Sequence, residues 1–170
     1  IWGFSQTRMH GVGIVDYGHL ALMPSDGFDA ERTTQSGYRL PFDKESERIE
    51  VGYYSAELVH EGDARSRVEI TAGERVARYR IGFDASMEPV LIVDLAHTLD
   101  GVVFDDGALE IDEDGQGFSG FVRLDGGYSD RHGGVRIFFA ARFDQPADGF
   151  GTFVPGEVRT DSREVSGAGG

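Results

Sequence analysis

A short stretch near the start of the chain, "GFSQTRMHGVG" at residues 3–13, brings together side chains that hydrogen-bond, stack or carry charge. The candidate residues in and beside it are Trp2, Ser5, Gln6, Thr7, Arg8 and His10. Three glycines surround them, and a strand-like segment follows. The stretch is therefore either a loop that holds a ligand or an ordinary glycine-rich connection, in which Trp2 and Phe4 anchor the core.

The other motifs give no self-sufficient active site. The five histidines are scattered and form no H-x-H or HExxH pair, so zinc chemistry is not indicated. The acidic run "DDGALEIDEDGQG" at residues 105–117 lacks the closing glutamate of a calcium loop and is better explained by two Asp-Gly turns. The stretch "GGYSDRHGG" at residues 126–134 does not join a strand to a helix, which excludes a phosphate-binding loop.

Composition limits the class of protein and of partner. The chain has 170 residues, 25 glycines, no cysteine and a formal net charge of −14. The length fits one domain with a real core, and the charge argues against nucleic acid or an anionic membrane as a partner. No apolar run approaches the roughly 18 residues of a membrane span. The first residue is Ile1 and no signal peptide is visible, so we expect a segment of a longer protein.

Alternation of apolar and polar residues predicts β-strands along most of the chain. The stretches that predict strands are residues 52–60, 65–71, 74–83, 88–97, 117–124 and 134–143. Asp-Gly occurs six times and suits the positive φ angles of hairpin turns. Residues 42–50, "FDKESERIE", are the one helix candidate. The pattern predicts an all-β protein, an antiparallel β-sandwich in one domain over residues 1–170.

Five stretches, in order along the chain, carry a family resemblance. They are "IWGFSQTRMHGVGIVDYGHLALMP", "PFDKESERIEVGYYSAEL", "VEITAGERVARYRIGF", "LIVDLAHTLDG" and "IFFAARFDQPADGFGTF". Together they resemble the N-terminal domain of the family 92 glycoside hydrolases, the calcium-dependent α-mannosidases. In the family the first stretch runs G-F-S-H-T-H-L-S-G-T-G, then D-Y-G-D-I and M-P. The resemblance covers nearly the whole chain.

The resemblance implies more than the residues do by themselves. It implies a sandwich of the galactose mutarotase-like supersandwich type, with flanking strands beyond both ends and a helical (α/α) catalytic domain outside this segment. It implies a secreted or periplasmic inverting glycosidase that degrades mannose-containing glycans such as N-glycans, with calcium and the catalytic residues in the missing domain. No catalytic residue and no metal ligand is then expected in this segment, which by itself is inactive.

The departures from the family pattern lie in the opening stretch. Gln6 and Arg8 stand where the family has two histidines, and His10 stands where it has serine. His19 replaces an aspartate, and Val51 replaces the proline before "GYY". Under the resemblance, this stretch binds the sugar, and an arginine there suits a mannose-phosphate linkage because its planar fork binds phosphate oxygens. Two alternatives are a non-catalytic, lectin-like module and a purely structural domain.

Overall fold

The computed structural model describes residues 1–5, 18, 20–99, 102–127 and 129–168. The chain divides into two compact units. The first comprises Ile1–Gln6 and Leu22–Val93, and the second comprises Thr7–Ala21 and Asp94–Gly170. Both are built almost entirely of antiparallel strands, so the predicted all-β class is confirmed. Over the described residues, no helix is long and apolar enough to cross a membrane.

The first unit is organised around a four-stranded antiparallel meander. Its strands are β1 (Ala21–Asp26), β2 (Phe42–Glu50), β3 (Tyr53–Val59), β4 (Arg65–Ala72), β5 (Ala77–Phe83) and β6 (Pro89–Asp94). The sheet order is β2-β3-β4-β5, while β1 pairs with β6. Alternate residues of β3 and β4 face the interior, where Ala56, Leu58 and Val68 are fully buried. The alternation that predicted β3, β4 and β5 is thus confirmed.

The helix predicted over residues 42–50 is wrong, because this stretch is strand β2. Its helix-like character is local. The side chain of Asp43 accepts a hydrogen bond from the Glu45 backbone N–H at 3.0 Å, and Ser46 Oγ donates to the Asp43 carbonyl at 2.6 Å. These bonds belong to a bulge, since the register with β3 shifts between Asp43 and Arg48. Pairing with β3 outweighs the local turn.

The helical turns of the first unit occur elsewhere. They are a 3-10 helix at Ala30–Thr33, the α-helix α1 at Gln35–Tyr38 and a 3-10 helix at Glu61–Asp63. Asp29 caps the first, because its side chain accepts from the backbone N–H groups of Glu31 and Arg32 at 2.9 and 3.1 Å. Thr34 caps α1 through Gly37 at 3.3 Å. These two capping residues are the sequence signal for both turns.

The second unit contains a second four-stranded antiparallel sheet. Its strands are β7 (Val102–Ile111), β8 (Gly117–Gly126), β9 (Val135–Arg142), β10 (Gly151–Val154), β11 (Glu157–Thr160) and β12 (Glu164–Ala168), with a 3-10 helix at Ser129–His132. The sheet order is β12-β7-β8-β9, and β10 and β11 form a separate hairpin. Val102, Val122 and Leu124 form the buried cluster on its inner face. The strands predicted at 117–124 and 134–143 are confirmed.

The Asp-Gly turns are only partly as predicted. Gly115 follows Asp114 with φ 65° in the turn between β7 and β8, as expected. Asp106-Gly107 instead lies inside β7, so the turn predicted there is wrong. A Cβ on Gly107 would lie 2.9 Å from the Phe104 ring, at the bulge between Phe104 and Asp106. This glycine makes room for an aromatic ring. Asp100-Gly101 lies outside the described residues.

Candidate functional site

The segment before the candidate loop is fixed by backbone hydrogen bonds. Phe4 N donates to the Leu22 carbonyl at 2.9 Å, and Leu22 N donates to the Phe4 carbonyl at 3.0 Å. Leu40 N donates to the Ile1 carbonyl at 3.1 Å. The Phe4 ring is buried and lies 6.2 Å from the Tyr54 ring, centroid to centroid. Phe4 is therefore a core anchor, directly before the candidate residue Ser5.

Trp2 differs from Phe4 in being 53% exposed. It does not anchor the core, and its indole is accessible to a ligand. Ser5, the other described candidate, is partly buried and makes interactions of its own. The remaining candidates, Gln6, Thr7, Arg8 and His10, lie outside the described residues. The structure thus places an exposed aromatic side chain directly before the loop, and the loop's polar residues stay a prediction.

The chain beyond the loop has an unusual backbone. Gly18 has φ +93°, and a Cβ there would lie 3.0 Å from the Leu99 side chain. Leu20 has φ 58°, a left-handed conformation that non-glycine residues rarely adopt. Directly after it, Ala21 and Met23 are buried in β1. The described residues on either side of the stretch 6–17 are therefore constrained, Ile1 and Phe4 by backbone hydrogen bonds and Gly18 and β1 by close packing and burial.

A buried polar pair lies at the end of β3, and no motif in the sequence indicates it. His60 Nε2 and Ser66 Oγ are 2.7 Å apart, and both residues are buried. Burial lowers the pKa of His60 below its usual 6.5; Asp26 opposes this shift, and Arg32 acts in the same direction as burial. Only the fold brings Ser66 to the imidazole. Two further buried ionisable residues, Asp94 and His97, lie where the apolar run of β6 ends. The break in hydrophobicity at that point is the signal by which sequence reasoning could have found them.

The calcium implied by the family resemblance finds no ligand set in the described part of the chain. No group of three or more histidine, aspartate or glutamate side chains converges there. In the acidic turn, Asp114 accepts from Arg142 Nη2 at 3.0 Å, and Asp112 lies 3.6 Å from Arg142 Nη1. The guanidinium already occupies these carboxylates. The turn therefore does not fit a calcium loop.

Comparison with known proteins identifies the family. The chain matches the model of the glycosyl hydrolase family 92 N-terminal domain over residues 1–170. It therefore belongs to that family, as the sequence resemblance predicted. A search of curated proteins finds no match.

Three solved structures share the fold. The family GH92 α-mannosidase BT3965 from Bacteroides thetaiotaomicron, in complex with mannoimidazole, has a TM-score of 0.79 at 22% identity, over 98% of this chain and 22% of that one. A second structure of BT3965 has the same TM-score at 23% identity, over 98% of this chain and 23% of that one. The GH92 family glycosyl hydrolase ccman5 has a TM-score of 0.71 at 23% identity, over 89% of this chain and 20% of that one. The predicted antiparallel β-sandwich class is confirmed, and the chain spans about a fifth of each relative's length.

Proposed function

We propose that this chain is the N-terminal domain of an α-mannosidase and helps to bind the sugar that a helical domain of the same protein hydrolyses. Membership of the family over residues 1–170 is the observation that carries the proposal. The printed name of one structural relative, an α-mannosidase in complex with mannoimidazole, supports mannose-containing glycans as the ligand class. The proposal extends to a secreted or periplasmic protein that takes part in N-glycan degradation.

The opening segment supplies the binding chemistry in this proposal. The exposed indole of Trp2 stacks on the apolar face of a pyranose ring. The polar side chains that hydrogen-bond to the sugar are those of Ser5, Gln6, Thr7, Arg8 and His10. Arg8 binds the phosphate if the linkage is mannose-phosphate, because its guanidinium engages two phosphate oxygens at once. The described segment that precedes Gln6 is anchored by the backbone pair of Phe4 and Leu22.

Hydrolysis is assigned to the helical domain. Inversion in a single displacement needs an acid and a base carboxyl group about 6.5–9.5 Å apart on opposite sides of the bond. The isolated 170-residue segment is then inactive on every mannoside, whereas the full-length protein releases β-mannose from an α-mannoside. Proton NMR of the fresh product distinguishes the anomers, and release of α-mannose contradicts the proposed mechanism.

Calcium is likewise assigned to the helical domain. The pairing of Asp112 and Asp114 with Arg142 supports this assignment. We expect EDTA to remove activity from the full-length enzyme and added calcium to restore it. The thermal unfolding of this segment alone should not change with EDTA. A calcium-dependent Tm of the isolated segment contradicts the assignment.

The loop is tested by substitutions in the full-length enzyme. Arg8→Ala should lower kcat/KM for mannose-1-phosphoryl-mannose far more than for α-mannobiose. Trp2→Ala should lower kcat/KM about tenfold for both substrates, which is equivalent to about 1.4 kcal/mol of lost binding. Val158→Ala, at another exposed apolar residue, is the control. Unchanged kcat/KM in Trp2→Ala, Arg8→Ala and His10→Ala for every mannoside means that the loop is structural.

A further inference from the structure

The outward face of the second sheet carries aromatic side chains in line across its strands. Phe138 of β9 lies opposite Phe121 of β8, which lies opposite Ala108 of β7, which lies opposite Ser166 of β12. We call these four residues the aromatic lane. Residues directly opposite each other on antiparallel strands share a face, and four strands span roughly 14 Å. Phe138 is 73% exposed on this face.

The two rings differ in what covers them. Their centroids are 6.1 Å apart at an interplanar angle of 49°. The guanidinium carbon of Arg136 lies 4.6 Å from the Phe121 ring centroid, so this arginine covers Phe121. Phe138 has Arg136 and Ala140 as its neighbours on the same face of β9, and it stays open to solvent. The Phe121 ring is thus covered by a guanidinium group, and the neighbouring Phe138 ring is accessible to solvent.

Hydrogen-bonding groups of opposite kind border the aromatic lane. On one side lie Arg123 and Arg136, at directly opposite positions of β8 and β9; the Arg123 guanidinium is already paired with Asp105 at 3.1 Å. On the other side lie Ser119, Glu110 and Glu164, all exposed. Glu110 and Glu164 are directly opposite each other on β7 and β12, where like charges destabilise a sheet. In the described part of the chain no cation forms an ion pair with either glutamate.

We propose that the aromatic lane is a second sugar-binding surface, separate from the opening loop, and that a pyranose ring stacks on Phe138. Sugar hydroxyls accept hydrogen bonds from Arg136 and donate them to Ser119 and Glu110. A neutral sugar fits because one face of its ring is apolar and the hydroxyl groups at the ring's edge both donate and accept hydrogen bonds. The flanking glutamates then acquire hydrogen-bond donors, whereas within the described residues no cation pairs with them.

Other occupants fit the same face less well. A protein partner, whether a second copy or the helical domain of the same protein, covers a largely apolar centre, whereas Phe138 is bordered by the charged residues Arg136, Glu110 and Glu164. An anionic membrane or a nucleic acid meets a chain whose net charge is −14. The charged border and the net charge together therefore favour a small, neutral, amphipathic ligand.

The test is binding of the full-length protein to insoluble mannan, measured by depletion from solution. Phe138→Ala should weaken binding about tenfold, which corresponds to about 1.4 kcal/mol. Phe138→Tyr keeps an aromatic ring and should retain binding. Val76→Ala is the matched control, because Val76 is also 73% exposed but lies in the other unit. Hydrolysis of a small soluble mannoside should be unchanged in all three variants.

Two results overturn the inference. One is mannan binding by Phe138→Ala that equals wild type, including the case in which neither protein binds. The other is sedimentation that reveals a dimer which Phe138→Ala converts to a monomer, since the face is then an interface between two copies. The choice of mannan rests on the proposed function, but the outcomes are separable. Loss of mannan binding in Phe138→Ala with no mannosidase activity in wild type supports the surface and refutes the mannosidase.

Discussion

The two four-stranded sheets are both antiparallel but differ in strand order and in the polar side chains that they bury. The first sheet buries polar side chains, Ser55 and Ser66, among its strands. The buried residues of the second sheet, within its described part, are apolar side chains and glycines. Both sheets also present a large apolar side chain to solvent, Ile49 on the first and Phe138 on the second. Phe138 differs from Ile49 in being aromatic and in lying opposite a second aromatic ring, that of Phe121.

The outward faces of the two sheets differ in how far their polar side chains pair with one another. On the first sheet, Tyr53 Oη donates to Glu69 at 2.7 Å, and Arg67 donates to Glu57 at 3.3 Å and to Ser55 at 3.4 Å. Arg65 bonds Asp43 at 3.1 Å. These pairs leave few hydrogen-bonding groups on this face for a ligand. The second sheet also has ion pairs, such as Arg123 with Asp105 at 3.1 Å, but it places Glu110 opposite Glu164 with no cation paired to either among the described residues. The comparison distinguishes a face whose charges are paired with one another from a face on which two glutamates are not.

The largest expected effect contrasts one glycine from each sheet. A Cβ on Gly120 would lie 2.0 Å from the Ala108 carbonyl oxygen, whereas a Cβ on Gly82 meets nothing within 4 Å. Gly120→Ala should lower the free energy of unfolding by about 1–3 kcal/mol or more, because backbone must move. Gly82→Ala should stabilise by about 0.4–1 kcal/mol. Urea unfolding measures both, and equal effects contradict the close packing of β8 against β7.

A smaller effect tests the polar groups buried beside the first sheet. Burial lowers the pKa of His60 below its unfolded value of 6.5, so the folded state binds fewer protons than the unfolded state. The stability contributed by neutral His60 is present above pH 6.5 and is lost as the pH falls below it. His60→Gln, which keeps a hydrogen-bonding side chain, should remove this loss. The comparison is urea unfolding at pH 7.5 and 5.5.

The control for that experiment is His132→Gln, since His132 is exposed. This variant should follow the wild-type pH dependence. If His60→Gln loses as much stability as wild type on acidification, the buried pair with Ser66 is not the cause.

The smallest expected effect tests the paired face of the first sheet. A double-mutant cycle with Arg67→Ala and Glu57→Ala should give a coupling energy of about 0.2–1 kcal/mol that falls as salt is added. The control pair is Arg80 and Glu69, at 3.8 Å with Arg80 84% exposed, which should couple more weakly. A coupling of zero for Arg67 and Glu57 removes the contrast between a paired and an open face.

Some elements were predictable and others were not, for identifiable reasons. Strands β3, β4, β5, β8 and β9 follow from alternation, because each has one inward face. Residues 42–50 misled because Asp43 and Ser46 form local turn bonds inside a bulge of β2. Asp106-Gly107 misled because its glycine accommodates the Phe104 ring. In the first case, pairing with β3 outweighs the local turn. In the second, packing of the Phe104 ring at the bulge of β7 outweighs the turn preference of Asp-Gly.

The sequence by itself determined the all-β class, most of the strands and membership of the glycosyl hydrolase family, since these follow from periodicity and from ordered local motifs. It also identified the opening loop as the candidate sugar site. Alternation groups Phe139 with Val135 and Ile137 on one face of β9, so the sequence also places Phe138 on the other face. Only the tertiary structure decided the partners across the strands, with Phe121 opposite Phe138 and Glu110 opposite Glu164. Those pairs depend on the register between strands that are distant in sequence.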